Sequence, residues 1–355
     1  DLRTVSDDRG TTVLPLDKVS WNAVDFVGVN SDEGDLHAGP ETERRSVRWQ
    51  TYTVTEEGPV RWKVCLTGTD GVLCVTQQIE LEKDSCTLGF ETTVDNWPIC
   101  SGYLAARIPV EDGARLYGGI PFGTEKKDMD NEPFNGREEG WSDFHRQWDG
   151  LFFAKDFAAA EGDTLTAALC HLSGDRYYIY EKNNRSLSCM LIHCAYPYKD
   201  TCEEYMNTAM FQSPGTHSFR YAVLVEPKNT PKYMVASAAA ALRREPILCR
   251  PYRNREGVYT IPACGSFVHI DAENVNLSAL YVDGEDVVVR LWEAGGVQTS
   301  VALTLPVAVT TVRAENFIGQ TDSMATTEVR DGKAFFQIKP YEIVTLRVTP
   351  RHETH

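Results

Sequence analysis

The 355-residue sequence is short of positive charge and lacks the short motifs that mark nucleotide, redox and hydrolase sites. Lysine and arginine total 35 against 51 aspartate and glutamate, a formal net charge of −16. Binding phosphates needs a concentrated positive face, so this balance argues against a nucleic-acid partner. The basic clusters Arg44-Arg45, Lys126-Lys127 and Arg243-Arg244 are short and read as solvated surface. A neutral ligand such as a sugar is compatible with the charge. No run approaches 18 consecutive apolar residues, so no membrane-spanning helix is expected. A Walker loop and a G-x-G-x-x-G turn are both missing, which removes nucleotide and dinucleotide sites. No G-x-S-x-G elbow is present, so a serine nucleophile has no local signature. The ten cysteines include no C-x-x-C pair. Several lie in strand-like apolar runs, such as Val64-Cys65-Leu66 and Leu73-Cys74-Val75, and read as buried reduced thiols of a cytoplasmic protein. A few disulfides in an exported protein are the alternative. Two N-x-S sequons, Asn184 and Asn276, matter only in a host that glycosylates. The opening Asp1-Leu2-Arg3-Thr4 has no feature of a signal peptide, and a chain beginning there reads as a fragment cut from something longer.

What is present is ordinary globular composition, 42% apolar and 24% charged, arranged as many short strands. Val75–Leu81 partly alternates, Ser218–Leu224 begins alternating and then becomes apolar throughout, and Val344–Val348 alternates cleanly. Turn signals separate such runs: Thr69-Asp70-Gly71, Val282-Asp283-Gly284 and Arg330-Asp331-Gly332. Frequent short strands predict a mainly β fold of sandwiches. One helix stands out. Thr230 suits its N-cap, Pro231 its first position, and Pro246 its end, with Met234, Ala238 and Leu242 on one face. The expected order is a large antiparallel β-sandwich over 1–230, a linking helix over 231–246 and a smaller C-terminal β-sandwich over 247–355.

The order of motifs adds a resemblance. Glu56-Glu57-Gly58-Pro59-Val60-Arg61 is followed by Val75-Thr76-Gln77-Gln78-Ile79, Val94-Asp95-Asn96-Trp97 and Ile120-Pro121-Phe122-Gly123-Thr124-Glu125. Gly215–Leu224, Val275–Leu280, Val288–Glu293 and Pro340–Leu346 come next. Each is weak alone, but their colinearity over about residues 55–350 resembles the central and C-terminal β domains of family 38 α-mannosidases. Ser213-Pro214 stands where that family has an acidic residue before Gly-x-His, and Lys126 or Lys127 where it has arginine, which marks a divergent branch. The resemblance implies a galactose mutarotase-like supersandwich for the large domain. It also implies a retaining exo-α-mannosidase whose aspartate nucleophile and zinc sit in an N-terminal catalytic domain absent from this chain. Retaining chemistry needs two carboxyls about 5–5.5 Å apart. The partners implied are that catalytic domain and mannosides. No catalytic residue, metal ligand or cofactor is assigned within the chain.

The segment from Gly123 to Trp148 is the least regular stretch, and loops of this length are usually functional or disordered. Glu125, Trp141, Asp143, His145 and Trp148 within it combine aromatic faces with polar groups, which suits sugar recognition. The bland alternative is that the tryptophans anchor a core or interface and the acids are solvated. His269-Ile270-Asp271 has the form of an H-x-D ligand pair, since i and i+2 share a strand face, but zinc needs three or four ligands. A structural role is favoured there, and His217 is expected to be a hydrogen-bonded core or interface histidine. Two other function classes stay open. One is a free-standing carbohydrate-binding protein; the other is an autonomous glycosidase using carboxylates of the 125–149 loop.

Overall fold

Strands dominate, as the alternating runs require. In a computed structural model the described residues are 21–29, 41–98, 100–127, 150–174, 176–181, 184–194, 213–244, 247–248, 264–322 and 326–351. The strands are β1 (Ala23–Val29), β2 (Glu41–Ser46), β3 (Arg48–Glu57), β4 (Arg61–Thr69), β5 (Cys74–Glu82), β6 (Thr87–Trp97) and β7 (Gly102–Pro109). Then come β8 (Arg115–Ile120), β9 (Gly123–Lys127), β10 (Leu151–Glu161), β11 (Leu165–His171), β12 (Arg176–Glu181), β13 (Ser186–Cys194) and β14 (Gly215–Pro227). Helix α1 (Lys232–Leu242) precedes β15 (His269–Ile270), β16 (Val275–Asp283), β17 (Asp286–Glu293) and β18 (Thr299–Thr304). The chain closes with β19 (Val309–Glu315), β20 (Thr327–Arg330), β21 (Lys333–Ile338) and β22 (Ile343–Pro350). Two compact units result, one built on β1–β14 and one on β15–β22. The division runs through α1, and the β8–β9 turn at 121–124 groups with the second unit. No helix among the described residues is long and apolar enough to cross a membrane.

The first unit is a fourteen-stranded antiparallel sheet in the order β2-β1-β7-β13-β12-β10-β11-β14-β6-β5-β4-β3, with β8 and β9 branching from β10. Its two halves share one core. Val24, Phe26, Leu104, Ala106, Tyr178 and Leu187 come from one half, and Val75, Phe90, Val94, Phe219 and Tyr221 from the other. The sheet therefore folds over on its own inner face to form the sandwich. The outer face of the first half is buried as well, through Val27, Val29, Tyr103, Ala105 and Met190. That double burial is why β1, β7 and β13 read as near-continuous apolar runs. The alternation of β14 is visible in buried Phe219 and Tyr221, which alternate with exposed Ser218 and Arg220, before Ala222–Leu224 are buried on both faces. Close strand approach has a local requirement: a Cβ on Gly150, at φ 110°, would run into the Tyr180 carbonyl.

Four polar side chains lie inside this core and satisfy one another. Asn22, in the left-handed turn before β1, donates from Nδ2 to Gln77 Oε1 at 2.5 Å. Gln77 Nε2 donates to Thr92 Oγ1 at 2.9 Å and to the Tyr221 hydroxyl at 3.0 Å. The Tyr221 hydroxyl donates back to Asn22 Oδ1 at 2.6 Å. The ring joins the start of β1 to β5, β6 and β14, and so ties one half of the sheet to the other. Next to it Trp97 is 2% exposed, tilts against Phe26 at 5.7 Å and donates to Cys194 Sγ at 3.3 Å.

The second unit holds two four-stranded antiparallel sheets, β15-β18-β21-β20 and β16-β17-β22-β19. Val289, Leu291, Leu303, Phe336, Leu346 and Val348 pack between them. Helix α1 forms where the sequence predicts it, but on a different phase. Val235 and Ala239 are its fully buried positions, while Met234 is 45% exposed. An alanine-rich helix carries little periodicity, so its buried face cannot be read from composition. The Thr230 hydroxyl donates to the Pro227 carbonyl at 2.9 Å, bonding back into the preceding turn.

Tyr221→Phe leaves Asn22 Oδ1 without its donor and removes an acceptor from Gln77. Equilibrium denaturation is expected to show a loss of about 1–3 kcal/mol. An unchanged midpoint would mean that the polar ring contributes nothing to joining the two halves.

Candidate functional site

Of the five residues singled out for sugar contact, Glu125 lies among the described residues; Trp141, Asp143, His145 and Trp148 lie outside them. Glu125 is on β9, exposed, and held by Lys127 Nζ at 2.5 Å. Lys127 in turn lies 5.9 Å from the centre of the Phe152 ring. The strand follows a tight turn in which Phe122 takes a left-handed φ of 58° directly after Pro121. Proline sets the first central position of such a turn, and the second normally favours glycine.

The other two sequence candidates are now placed. His217 is half-buried at the start of β14, bonds the Ser213 carbonyl at 2.5 Å and stacks on Phe219 at 6.2 Å. His269 is exposed on the two-residue strand β15, and the Asp271 carboxylate accepts the Ala302 N–H at 2.7 Å. No group of three or more His, Cys, Asp or Glu side chains among the described residues is arranged to hold a metal. This pair does not fit zinc, because its carboxylate is committed to the backbone and no third ligand joins it among the described residues.

Three buried polar groups escape sequence reasoning. The first is Asp25, 1% exposed on the outer face of β1. Ser46 Oγ donates to it at 2.7 Å and Arg107 Nη2 lies 2.8 Å away. Arg44 bridges onward to Glu181 at 2.5 Å, which also accepts from Ser186 Oγ at 3.1 Å. Burial pushes the Glu181 carboxyl up, but the Asn184 hydrogen bond and the Arg44 charge outweigh it and hold the pKa below the usual range. Arg44 also pairs with Glu41 at 2.7 Å, so each acid of the cluster is held by an arginine and the cluster is structural.

The second is Glu293, fully buried at the end of β17. It accepts the N–H groups of Gly295 at 2.6 Å, Gly296 at 2.8 Å, Val297 at 3.3 Å and Tyr341 at 2.9 Å. Asn274 Nδ2 adds a bond at 2.7 Å. Burial raises its pKa, and these donors more than reverse that, so the carboxyl sits below its ordinary value. Trp292-Glu293 and Pro340-Tyr341-Glu342, far apart in sequence, thus meet in one clasp, closed by Glu293 N–H to the Glu342 carbonyl at 3.0 Å.

The third is His171, 0% exposed at the end of β11. The Ser173 N–H donates to Nδ1 at 3.0 Å, and the Arg176 guanidinium lies 3.2 Å from Nε2. Burial and the Arg176 charge lower its pKa to about 4. It is a neutral core imidazole at physiological pH.

Taken together, the fold is a large antiparallel sandwich followed by a smaller one, and its buried carboxylates serve as struts. Residues 274–346 match the Glycosyl hydrolases family 38 C-terminal beta sandwich domain. Across 97% of the chain the fold is that of an alpha-mannosidase from Enterococcus faecalis V583, with a TM-score of 0.71 at 15% identity and 40% of that chain covered. A second Enterococcus faecalis structure, of a protein in the Glycosyl Hydrolase Family 38, matches with a TM-score of 0.70, also at 15% identity, over 97% of this chain and 41% of that one. The chain therefore spans about two fifths of the length of these solved structures. The motif resemblance is borne out by both. The comparison with curated proteins finds no match.

Two outcomes follow from these struts. Glu293→Ala leaves four backbone N–H groups without their acceptor and takes one of two acceptors from the Asn274 amide, which keeps Thr299 Oγ1. The expected destabilisation of the second unit is about 3 kcal/mol or more by denaturant titration, and a change under about 1 kcal/mol would contradict the clasp. For His171 the folded pKa is below the unfolded value, so protonation favours the unfolded state. Stability is full above pH ~6.5 and falls as pH drops toward ~4, by about 3 kcal/mol in total. His171→Asn is expected to flatten that part of the stability–pH curve; an identical slope would show that the imidazole is not the titrating group.

Proposed function

We propose that this chain is the accessory β-sandwich region of an α-mannosidase-like glycoside hydrolase of family 38. In this reading its partner is the N-terminal catalytic domain of the same enzyme, which it supports. The observation that carries it is the coincidence of two matches. A family 38 sandwich domain falls at 274–346, and the fold of family 38 enzymes extends over nearly the whole chain. The chemistry of the described residues agrees, because Asp25, Glu181 and Glu293 are bound by arginine or by backbone N–H groups. Zinc and the nucleophile belong to the catalytic domain in this proposal.

Glu125, Trp141, Asp143, His145 and Trp148 remain the proposed mannoside contacts at the rim of the catalytic domain. The compartment is proposed to be cytoplasmic. In support, Cys170 and Cys189 are fully buried thiols whose pKa burial raises to about 12, inert positions that need no oxidising environment.

The test uses a polypeptide that joins this chain to a family 38 catalytic segment, assayed with p-nitrophenyl α-D-mannoside. Trp141→Ala and Trp148→Ala are expected to raise KM by about tenfold, equivalent to 1.4 kcal/mol, with kcat little changed. Deleting residues 21–351 is expected to abolish a soluble, active enzyme. A deletion that keeps full activity and thermal stability would sink the supporting role. Unchanged KM in both tryptophan variants would remove the rim contacts.

A further inference from the structure

We propose that the open end of the large sandwich carries a binding site for a neutral saccharide. The inner face of the sheet runs on past the shared core. In β3 and β4, Tyr52 pairs with Leu66 and Val54 with Val64, and these continue two rows, one through Gln77, Thr92 and Phe219 and one through Ile79, Phe90 and Tyr221. Among the described residues this end is left open: Tyr52 is 75% exposed and Val54 45%. A cleft of about 450 Å³ lies here, floored by aliphatic side chains including Leu66 and walled by Trp21, Trp49 and Tyr52. The volume falls in the range of small-molecule sites, roughly 300–1,000 Å³.

The lining restricts the ligand. None of the ten described residues that line it is charged, so these offer no counter-charge to an anion or a cation. Trp21 is only 5% exposed, yet its indole N–H has no hydrogen-bond partner. A buried donor of this kind costs about 1–3 kcal/mol unless an acceptor is supplied. A purely apolar ligand would leave it unsatisfied, whereas a hydroxyl or ring oxygen would satisfy it. Gln50 adds an exposed amide at the same cleft. Asn22 is held in place by its own hydrogen bonds, and Thr51 by one to Thr67 Oγ1. Indole and phenol faces cover the apolar C–H surfaces of a sugar ring while donors and amides take its hydroxyls. The Trp49 ring is also seated by design of the backbone: it lies over Gly68, where a Cβ would come within 2.9 Å of Cε3. The described lining holds no carboxylate, and the role proposed for the site is binding. This inference rests on the cleft alone and not on the proposed enzyme.

The experiment titrates the 355-residue chain with methyl α-D-mannoside, mannotriose, maltotriose and cellotriose, read by tryptophan fluorescence and saturation-transfer NMR. Saturable binding of at least one saccharide is expected, with Kd between about 0.1 and 10 mM. Trp49→Ala and Tyr52→Ala are each expected to weaken it at least about tenfold, and Trp21→Phe, which keeps a ring but loses the N–H, by about three- to tenfold. Thermal melts run beside each titration, and Tyr52→Ala, at a 75% exposed position, serves where a tryptophan variant fails to fold. No binding up to about 10 mM, or binding undiminished in Tyr52→Ala, overturns the proposal. So does concentration-dependent self-association that Tyr52→Ala abolishes, since the cleft would then be a protein interface.

Discussion

The hydroxyl of Tyr221 is the point on which the large sandwich turns. A fourteen-stranded sheet can fold over only if its two inner faces meet at a defined register, and apolar side chains alone enforce register weakly. The ring of Asn22, Gln77, Thr92 and Tyr221 supplies directional bonds between the two halves, and each member would be an unsatisfied buried group in any other arrangement. Phe26, Trp97 and the aliphatic core then fill the space that the ring spaces out. The same ring fixes Asn22, and with it the neighbouring Trp21, at the mouth of the open cleft.

A parallel arrangement governs the small sandwich. Glu293 gathers the turn after β17 and the turn before β22 onto one carboxylate. The acidic residue of the Val288–Glu293 motif is therefore structural in this chain.

Much of the fold was legible in the sequence because burial on one face leaves a period of two. β14 and β22 show it in Phe219 and Tyr221 and in Val344, Leu346 and Val348. Where both faces are buried, as in Val24–Val29, the period vanishes and a strand is harder to distinguish from any apolar run. The helix was legible from its proline and threonine start, but its phase was not, since alanines give no contrast between Met234 and Val235. The polar struts could not be read at all. Asn22 and Tyr221 are 199 residues apart, and Glu293 and Tyr341 48 apart, so their pairing exists only after folding. The cleft was missed for the same reason: Trp21 and Trp49 carry no mutual spacing signal. Of the loop proposed to meet sugar, Glu125 is an exposed, lysine-paired carboxylate, and its four companions lie outside the described residues.

The central proposal is that this chain supports glycoside hydrolysis and leaves the chemistry to a catalytic domain. The most direct measurement is release of p-nitrophenol from p-nitrophenyl α-D-mannoside by the 355-residue chain alone, with zinc supplied in excess. The expected result is a rate indistinguishable from buffer, in a sample whose folded state is confirmed by circular dichroism. Zinc-dependent turnover that scales with the amount of this chain would contradict it.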